Sequence, residues 1–326
     1  MYSFKETLNR IENEVSQLRF SRHPQSLYAP IEYILEIGGK RIRPALTLLA
    51  CNLFDEDVDK AILPALGIEV FHNFTLLHDD LMDQADKRRN RPTVHKVWNA
   101  NTAILSGDAM MIYAYQLIAE APSKKLSEVI NLFSKTALEI CEGQQLDMEF
   151  ETRDDVTVAE YIEMIRLKTA VLLACSLKLG AIIGGASEKD ASLLYDFGIQ
   201  IGLAFQLQDD LLDVYGNPET FGKNIGGDIL CNKKTFLLTN AYKLANTNQL
   251  DELNRWMNSR EFIASEKISA ITQLYDKMGI RKLTEEKIQD FFAKGMEALQ
   301  SISTESSKKV ILKEVANNLM FREVLI

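Results

Sequence analysis

Apolar residues recur at helical spacing along almost the entire chain. Steps of three and four residues connect Ile31, Ile34 and Leu35, and similar steps connect apolar side chains within residues 126–133 and 162–172. Spacing of this kind places apolar side chains on one face of an α-helix. No run of alternating, β-branched-rich residues between turn signals predicts a strand. The pattern therefore predicts an all-α protein.

Helix breakers and caps divide this pattern into segments. Glycine and proline fall between the periodic runs, at Gly38-Gly39, Pro92, Pro122, Gly184-Gly185, residues 216–218 and Gly226-Gly227. Candidate helix N-caps are Asp57, Ser123, Thr157 and Ser187. Because the chain has no proline- or serine-rich linker and no fixed-period repeat, about ten or more helices are expected to form a single domain over residues 1–326. A more polar helical portion is expected after about residue 232.

Composition and charge narrow the class of protein. Of the 326 residues, 46% are hydrophobic and 25% are charged, which is typical of soluble globular proteins. A net charge of −9 argues against a general nucleic-acid-binding protein. The most apolar stretch, roughly residues 169–185, contains Lys178 and is short for a membrane span. It is expected to be a buried helix, and no integral membrane segment is predicted.

The cysteines and the N-terminus favour a cytoplasmic protein. The four cysteines are scattered, without the spacing of a zinc site or of a disulfide framework: Cys51, Cys141, Cys175 and Cys231. They are expected to be reduced and mostly buried. The N-terminal residues are charged and amphipathic, without the apolar core of a signal peptide.

One acidic pattern occurs twice. The stretch LLHDDLMD at residues 76–83 is repeated as FQLQDDLLD at residues 205–213, about 130 residues later. Both contain DDxxD, both follow an apolar helix, and both precede a loop with lysine or arginine. A single DDxxD is usually a solvated helix end. The repetition with the same neighbours favours a shared chemical role.

Helix geometry divides each acidic motif into two kinds of aspartate. Residues four apart lie about 40° apart on one helix face, so Asp79 and Asp83 point the same way, while Asp80 is turned aside by about 100°. Asp209 and Asp213 form the equivalent pair, with Asp210 turned aside. Like charges at this spacing, at the C-terminal end of a helix, are unfavourable without a cation. Hard oxygen ligands of this kind suit Mg²⁺, which shares its remaining positions with water and phosphate.

Basic residues follow or precede both acidic motifs. They fall in four groups: Lys40, Arg41 and Arg43 after a glycine pair; Lys87, Arg88, Arg89 and Arg91; Lys168; and Lys223 with Lys233 and Lys234. A charge run on its own is usually a solvated face. Basic clusters beside metal-binding carboxylates indicate a substrate with two phosphates, one held by metal and one by lysine and arginine.

With these motifs in order, the chain closely resembles the trans-isoprenyl diphosphate synthases (polyprenyl synthetases) over roughly residues 30–300. The matching pieces are GGKRIRP, HDDLMD with RRNRPTVH, GQQLD at 143–147, KTA at 168–170, FQLQDDLLD, and GKNIGGDI with NKKT. One departure is Asn90, at a position where many members have glycine. The resemblance implies mostly antiparallel helices around a deep central cavity, usually in a homodimer. It also implies condensation of isopentenyl diphosphate with an allylic diphosphate, head to tail, with the chain extended by five carbons.

The resemblance also implies roles for individual residues. Asp79, Asp83 and Asp209 are expected to be the principal ligands of two or three Mg²⁺ ions, with Asp213 weaker or water-mediated and Asp80 and Asp210 in support. The allylic diphosphate is expected at Arg88, Lys168, Lys223 and Lys233, and that of isopentenyl diphosphate at Lys40, Arg43, His72 and Arg89. Thr169 and Gln206 resemble the residues that face the developing carbocation. The final proton is expected to leave to pyrophosphate, and His78 and His95 are expected to be structural.

Product length in this family depends on bulk below the first acidic motif. Thr75 stands four residues before Asp79 on the same helix face, and Phe74 stands five before it, about 7.5 Å lower along the axis. A small residue at the fourth position with an aromatic at the fifth resembles members that make geranylgeranyl diphosphate. Phe74 lies well off the Asp79 face, so plain core packing is the alternative, and Phe71 or Met110 can also close the cavity. Farnesyl or longer-chain products are the alternatives to twenty carbons.

Three other functions fit parts of the pattern. A class I terpene cyclase uses DDxxD and Mg²⁺, but its second metal motif is usually of the Asn/Ser/Glu type, and it has no need of Lys40 and Arg43. A non-catalytic synthase subunit is expected to have lost aspartates or lysines, and none is missing here. A purely structural helical protein leaves both acidic motifs unexplained.

Overall fold

The computed structural model describes residues 2–217 and 225–320, which are almost entirely helical. The α-helices are α1 (Phe4–Gln17), α2 (Gln25–Glu36), α3 (Ile42–Asn52), α4 (Ile62–Met82), α5 (Val94–Val97), α6 (Ala100–Ile118), α7 (Leu126–Thr152), α8 (Val158–Ile165), α9 (Val171–Gly184), α10 (Glu188–Tyr215), α11 (Gly227–Leu230), α12 (Phe236–Leu244), α13 (Thr247–Met257), α14 (Ala264–Lys277), α15 (Ile280–Gln300) and α16 (Ser306–Met320). A 3-10 turn precedes α4 at Asp59–Ala61, and a π-helical segment joins α8 to α9 at Arg166–Ala170. The prediction of an all-α fold is confirmed.

The chain divides into two compact units. The first comprises Met1–Ser134, Cys175–Leu194 and Ile302–Leu312, and the second comprises Lys135–Ala174, Tyr195–Ser301 and Lys313–Ile326. Each unit therefore draws on non-contiguous stretches of the chain. The prediction that residues 1–326 act as one domain stays a prediction.

In the first unit, α4 is the central helix. Its residues from Ile62 to Leu77 are apolar nearly all round and mostly buried, as expected of a helix enclosed by others. It packs along α6 and also against α3. Gly67 allows the close approach, since a Cβ there would lie 2.9 Å from the carbonyl oxygen of Ala114. This packing fixes the C-terminal end of α4, which carries the first acidic motif.

In the second unit, the core forms between α8, α10 and the helices from α12 to α15. Its fully buried members include Tyr161, Leu207, Leu253 and Ile271. Within the more polar C-terminal portion, α12 is buried over most of its length, whereas α14 buries one apolar face. In α14, for example, Ile271, Leu274 and Tyr275 are buried while the opposite face is exposed. This core holds the second acidic motif, near the C-terminal end of α10.

Of the four residues predicted to be helix N-caps, two cap an α-helix in the structure and two do not. Thr157 accepts a hydrogen bond from the Glu160 backbone N–H at 3.2 Å in a capping box that starts α8. Ser187 accepts from the Asp190 backbone N–H at 3.1 Å and starts α10. The Asp57 carboxylate accepts from the Asp59 N–H at 3.0 Å, ahead of the 3-10 turn rather than an α-helix. Ser123 lies in the turn before α7 and is not its N-cap, because two turn residues, Lys124 and Lys125, separate it from Leu126, where the helix begins.

The loop after the first acidic motif contains a small hairpin that the sequence pattern did not predict. Strand β1 (Lys87–Arg88) pairs with β2 (Arg91–Pro92), and Arg89 and Asn90 form the turn with φ angles of 50° and 64°. Left-handed residues at both central positions are typical of a two-residue hairpin turn. Asn tolerates this conformation better than most residues, so Asn90 can occupy a position where the resemblance leads us to expect glycine.

Two further expectations concern burial. All four cysteines are free thiols, but only Cys51 and Cys175 are buried. The expectation of mostly buried thiols is therefore wrong for Cys141, on an outward face of α7, and for Cys231, in the turn after α11. Among the described residues, Val158–Gly184 alone is long and apolar enough to cross a membrane, and 83% of its most apolar window is buried within the structure. This burial matches the predicted core helix.

Candidate functional site

The first acidic motif ends α4 with three aspartates in different surroundings. Asp79 is half-buried, Asp80 is only 4% exposed, and Asp83 is exposed. The Asp83 N–H donates to the Asp79 carbonyl at 2.9 Å, so the two residues lie one helical turn apart. Asp80, which helix geometry turns aside from Asp79 and Asp83, is therefore the buried aspartate of this motif.

The buried Asp80 holds the basic hairpin. Arg88 donates to it through Nε at 2.8 Å and through Nη2 at 2.7 Å, a bidentate pair that fixes both side chains. Arg88, predicted to bind the allylic diphosphate, is thus anchored directly to the acidic motif. The pair links the end of α4 to β1 and sets the position of Arg89 in the adjacent turn.

The second acidic motif repeats this order of burial. Asp209 is half-buried, Asp210 is 3% exposed, and Asp213 is half-buried. The Asp213 carboxylate accepts a hydrogen bond from the Asp228 backbone N–H at 3.0 Å, at the start of α11. Asp213 is therefore partly engaged by the protein, and the weaker metal role expected of it stays a prediction.

Asp210 belongs to a buried network of polar side chains. It accepts hydrogen bonds from the Tyr161 hydroxyl and from Gln206 Nε2, the latter at 3.1 Å. The Thr169 hydroxyl donates to Gln206 Oε1 at 3.1 Å. Burial, and then the nearby Asp228 carboxylate, raise the pKa of Asp210 to about 7. The predicted pair Thr169 and Gln206 is thereby brought together and connected to the second acidic motif.

Lys168 and Thr169 lie in the π-helical segment Arg166–Ala170. Single π turns inside helices are rare and often occur at functional sites. Lys168 Nζ donates to Asp147 Oδ2 at 2.7 Å. Two glycines permit neighbouring helices to approach this segment: a Cβ at Gly143 would overlap the Lys168 backbone nitrogen, and one at Gly202 would lie 2.6 Å from Ala170 Cα. The segment is therefore tightly held around its lysine.

A basic cluster in the first unit contains Arg43, His72 and Arg89. Arg43 Nη1 lies 3.2 Å from His72 Nε2, which must accept because arginine only donates. Burial, and then the Arg43 charge, hold the pKa of His72 well below its ordinary value, so the ring is neutral. A Cβ at Gly39 would lie 2.7 Å from Arg89 Nη1, so this guanidinium lies against Gly39.

The positive charge of this cluster is not fully balanced by hydrogen bonds and neighbouring carboxylates. Arg43 Nε is buried without a hydrogen-bond partner in the described part of the chain. Burial, and then repulsion from Arg89, lower the pKa of Arg43 to about 10, against the attraction of Glu69. An orphaned donor beside mutually repelling guanidiniums fits an anion such as a diphosphate. Lys40 lies three residues before Arg43 in the chain and directly follows Gly39.

Arg41, between Lys40 and Arg43, points elsewhere. It is 4% exposed and donates to Glu69 Oε1 at 2.6 Å, to Glu12 Oε2 at 2.9 Å and to the Leu35 carbonyl at 2.7 Å. Its role is to anchor the GGKRIRP segment rather than to bind a ligand.

Backbone strain coincides with these loops. Within residues 2–217 and 225–320, the non-glycine residues with positive φ are Arg41, Gln84, Arg89, Asn90 and Asn232. All of them lie in the basic segments or at the end of the first acidic motif. Such conformations cost about 1–3 kcal/mol each and cluster at functional sites in proteins.

The remaining predicted site residues have definite positions, with one exception. Lys233 is exposed and lies close enough to Asp210 to lower its pKa against the larger effect of burial. Phe74 is 9% exposed, packed between the Phe71 ring at 5.3 Å and the His78 ring at 4.8 Å between centroids. Thr75 is half-buried and donates to the His72 carbonyl at 2.8 Å. Lys223 lies outside the described residues.

The carboxylates suit Mg²⁺ by their chemistry. Each motif presents a half-buried first aspartate with a second carboxylate one turn away, while its middle aspartate is occupied by protein donors. No group of three or more His, Cys, Asp or Glu side chains forms a ready metal cluster in the part of the chain that the structure describes. Mg²⁺ commonly takes one or two carboxylates and completes its shell with phosphate and water, so no such cluster is needed.

Two residues of this arrangement were not singled out from the sequence. Tyr161 donates to Asp210 from α8, and nothing in its apolar surroundings distinguishes it from core. Asp147 pairs with Lys168, and its only signal is its place in the GQQLD motif. Their contacts depend on tertiary packing between helices.

Comparison with known proteins gives consistent matches along the chain. The polyprenyl synthetase family model matches residues 24–278. A geranylgeranyl pyrophosphate synthase from Geoglobus acetivorans is 35% identical over 321 residues, 98% of each chain. A geranylgeranyl diphosphate synthase from Methanosarcina mazei is 39% identical over 241 residues, 73% of this chain and 74% of that protein. A solved geranylgeranyl pyrophosphate synthase is 44% identical, with a TM-score of 0.93 over 99% of both chains.

Proposed function

Because the chain belongs to the polyprenyl synthetase family, we propose that it condenses isopentenyl diphosphate with an allylic diphosphate to make geranylgeranyl diphosphate. The protein is a prenyltransferase, and family membership removes the purely structural alternative. The observation that carries the twenty-carbon product is the match over 98% of both chains to a relative named for that product. Farnesyl and longer-chain products remain the alternatives, because similar proteins also bear those names.

We propose that Asp79, Asp83 and Asp209 bind Mg²⁺ together with the allylic diphosphate, with Asp213 as a weaker ligand. Bound Mg²⁺ supplies Lewis-acid stabilisation of the negative charge on the departing diphosphate. Asp80 and Asp210 keep their neighbours in position, since their own oxygens are engaged by Arg88 and by Tyr161 with Gln206. The motifs thus separate ligand aspartates from supporting aspartates.

We propose that basic residues bind the diphosphate groups of both substrates. Arg88, Lys168, Lys223 and Lys233 are proposed to bind the allylic diphosphate, and Lys40, Arg43, His72 and Arg89 that of isopentenyl diphosphate. The orphaned Arg43 Nε and the neutral His72 ring support the second assignment, because both can donate to phosphate oxygens without being charge-paired already. Thr169 and Gln206 are proposed to face the carbocation with their oxygens.

A turnover assay tests the proposed function. Purified protein is incubated with MgCl₂, labelled isopentenyl diphosphate and, separately, dimethylallyl, geranyl or farnesyl diphosphate, and product masses are measured. Each primer is expected to be extended to the twenty-carbon diphosphate, with no product when Mg²⁺ is chelated. No consumption of isopentenyl diphosphate with any primer would contradict the proposal.

Thr75→Phe is expected to shorten the product to fifteen carbons. Thr75 lies one turn below Asp79, about 6 Å along the axis, on the face that carries the proposed metal ligand. A phenylalanine there adds bulk in the path of the growing chain. Phe74→Ala serves as the comparison: Phe74 packs against Phe71 and His78, so a product unchanged in length would identify it as core rather than floor. Product mass from geranyl diphosphate measures both, and an unchanged twenty-carbon product from Thr75→Phe would contradict this position as a length determinant.

A homodimer is supported by an apolar stripe on α6. Ile104, Leu105, Met111 and Ile112 are 44%, 59%, 37% and 58% exposed, and they repeat after seven residues along α6. A seven-residue repeat of apolar side chains is the pattern of a helix–helix seam. We propose a second copy of this chain as its partner. The free thiols of all four cysteines are in keeping with a cytoplasmic location.

Leu105→Glu combined with Ile112→Glu is expected to yield a monomer. Two charges in an apolar seam lose their hydration on association, so the dimer is disfavoured. Light scattering during gel filtration gives the mass of the wild type and of the variant. Leu63→Glu, a similar change at a 41% exposed leucine elsewhere in the same unit, should leave the mass of a dimer unchanged. A wild type with monomer mass, or a variant that stays dimeric, would contradict the proposed interface.

A further inference from the structure

Lys267 is a buried lysine outside every motif discussed so far. It lies in the first turn of α14, and its side chain is 0% exposed. Lysine is seldom fully buried without a paired carboxylate, because burial of an ammonium in apolar surroundings is costly. Burial accordingly lowers the pKa of Lys267 below its ordinary value. Because burying this ammonium costs free energy, we expect a role of Lys267 other than packing.

The Lys267 ammonium contacts an amide oxygen and an aromatic ring, and neither of these groups is a carboxylate. Nζ donates to Asn232 Oδ1 at 2.6 Å and lies 4.3 Å from the centre of the Phe262 ring. Across residues 2–217 and 225–320, Lys267 takes part in no salt bridge. The short bond to an amide oxygen is therefore its main polar interaction.

Asn232 is held at both ends of its side chain. While Oδ1 accepts from Lys267, Nδ2 donates to the Met257 carbonyl at 2.9 Å. Its backbone is left-handed, with φ at 55°, a conformation that needs support in any residue other than glycine. The two side-chain bonds supply that support and tie the turn to α13 and α14.

This turn carries Lys233, the very next residue. The Lys233 N–H donates to the Asp228 carbonyl at 2.9 Å, and its own carbonyl accepts from Thr235 at 2.8 Å. These bonds, together with those of the adjacent Asn232 side chain, fix the backbone of the turn from which the Lys233 side chain leaves. Lys233 is exposed and lies near the second acidic motif, where its charge acts on Asp210.

We propose that Lys267 is a positioning residue, which acts through Asn232 to hold Lys233 in the direction required to bind the allylic diphosphate. This inference rests on the proposed function, since it deepens the role of Lys233. Lys267 itself is enclosed and touches no substrate. Its effect is expected on allylic diphosphate binding rather than on isopentenyl diphosphate binding, because Lys40, Arg43 and Arg89 belong to a different segment of the chain.

Lys267→Met tests the proposal with little change in side-chain volume. The KM for the allylic diphosphate is expected to rise about tenfold, the effect of one lost charge-assisted contact, while the KM for isopentenyl diphosphate stays within about twofold. The Kd of an unreactive allylic diphosphate analogue, measured by calorimetry with Mg²⁺, should weaken by a similar factor. Circular dichroism checks that the variant is folded.

Two further variants separate positioning from general stability. Lys287→Met is the matched control: Lys287 Nζ lies 4.4 Å from the Phe291 ring centre in α15 and bonds Asp290, but has no link to Asn232. It should leave both KM values unchanged. Asn232→Gly keeps the left-handed backbone and removes the amide, so Lys267→Met should add no further rise in KM in that background.

The outcomes distinguish this inference from the proposed function. If wild-type protein neither consumes isopentenyl diphosphate nor binds the analogue, the proposed function is wrong. If wild type is active and folded Lys267→Met keeps a normal allylic KM and Kd, the positioning role is wrong. Equal increases in both KM values, or additive effects with Asn232→Gly, would also overturn it, whereas a selective and non-additive increase supports it.

Discussion

Asp79→Ala is expected to lower kcat by roughly three orders of magnitude or more, because it removes a carboxylate that we propose as a ligand of the charge-neutralising metal at the departing diphosphate. Asp79 is half-buried near the end of α4, with Asp83 one turn away and Asp80 occupied by Arg88. Neither neighbour is in place to replace it. Steady-state turnover of isopentenyl diphosphate with farnesyl diphosphate, at saturating Mg²⁺, measures the loss.

The fold is expected to survive this change. Removal of one of several like charges near a helix C-terminus relieves repulsion, so helical content and thermal unfolding should stay near those of the wild type. Asp86→Asn is the control, since it removes a nearby negative charge from a side chain that is 82% exposed and pairs with Lys96. It should retain near-normal turnover. Full activity in folded Asp79→Ala would contradict the proposed ligand role.

Helix geometry predicts that the middle aspartate of each acidic motif is turned aside from its neighbours, but it does not predict which aspartate is buried. The sequence places Asp80 and Asp210 about 100° from their neighbours, and both turn inward in the structure. The all-α fold was likewise readable from apolar spacing and is confirmed. The metal and substrate roles of the individual residues stay predictions.

What the sequence did not reveal depends on long-range packing. The partners of the buried aspartates come from elsewhere in the chain: Tyr161 lies 49 residues from Asp210. The π-helical segment around Lys168 forms where Gly143 and Gly202 allow two helices to approach, which no local pattern encodes. The hairpin at Arg88–Arg91 is too short for strand periodicity to register.

The GGKRIRP segment illustrates the same limit most clearly. Its three basic residues are equivalent by composition, yet Arg41 is buried in an ion pair while Arg43 keeps an orphaned donor. The difference arises because Arg41 has a left-handed backbone, with φ at 46°, and faces Glu69 on α4. The segment thus has one anchor and two candidate ligands, and only the anchor is expected to matter greatly for stability.

Arg41→Met is expected to lower the free energy of unfolding of the enzyme by about 3–5 kcal/mol, because it leaves a buried carboxylate without its charge partner. Glu69 is 3% exposed, and Asn73 Nδ2, at 2.9 Å, would be its remaining side-chain donor. Burial alone would lower the pKa of Arg41, but the Glu69 charge and hydrogen bond raise it above its ordinary value, so Arg41 stays charged and its removal takes a positive charge from the buried site. Urea denaturation followed by circular dichroism measures the loss.

The double variant Arg41→Met/Glu69→Leu shows whether the uncompensated charge is the cause. Replacing a whole buried ion pair with apolar residues is often near neutral, so the double variant should be more stable than Arg41→Met alone. Glu12 also loses a partner, but at 58% side-chain exposure it is hydrated instead, at little cost. If the double variant is as unstable as the sum of the two single variants, the loss comes from packing and not from charge. In that case Arg41 anchors the segment through its shape, and the ion pair with Glu69 is incidental to it.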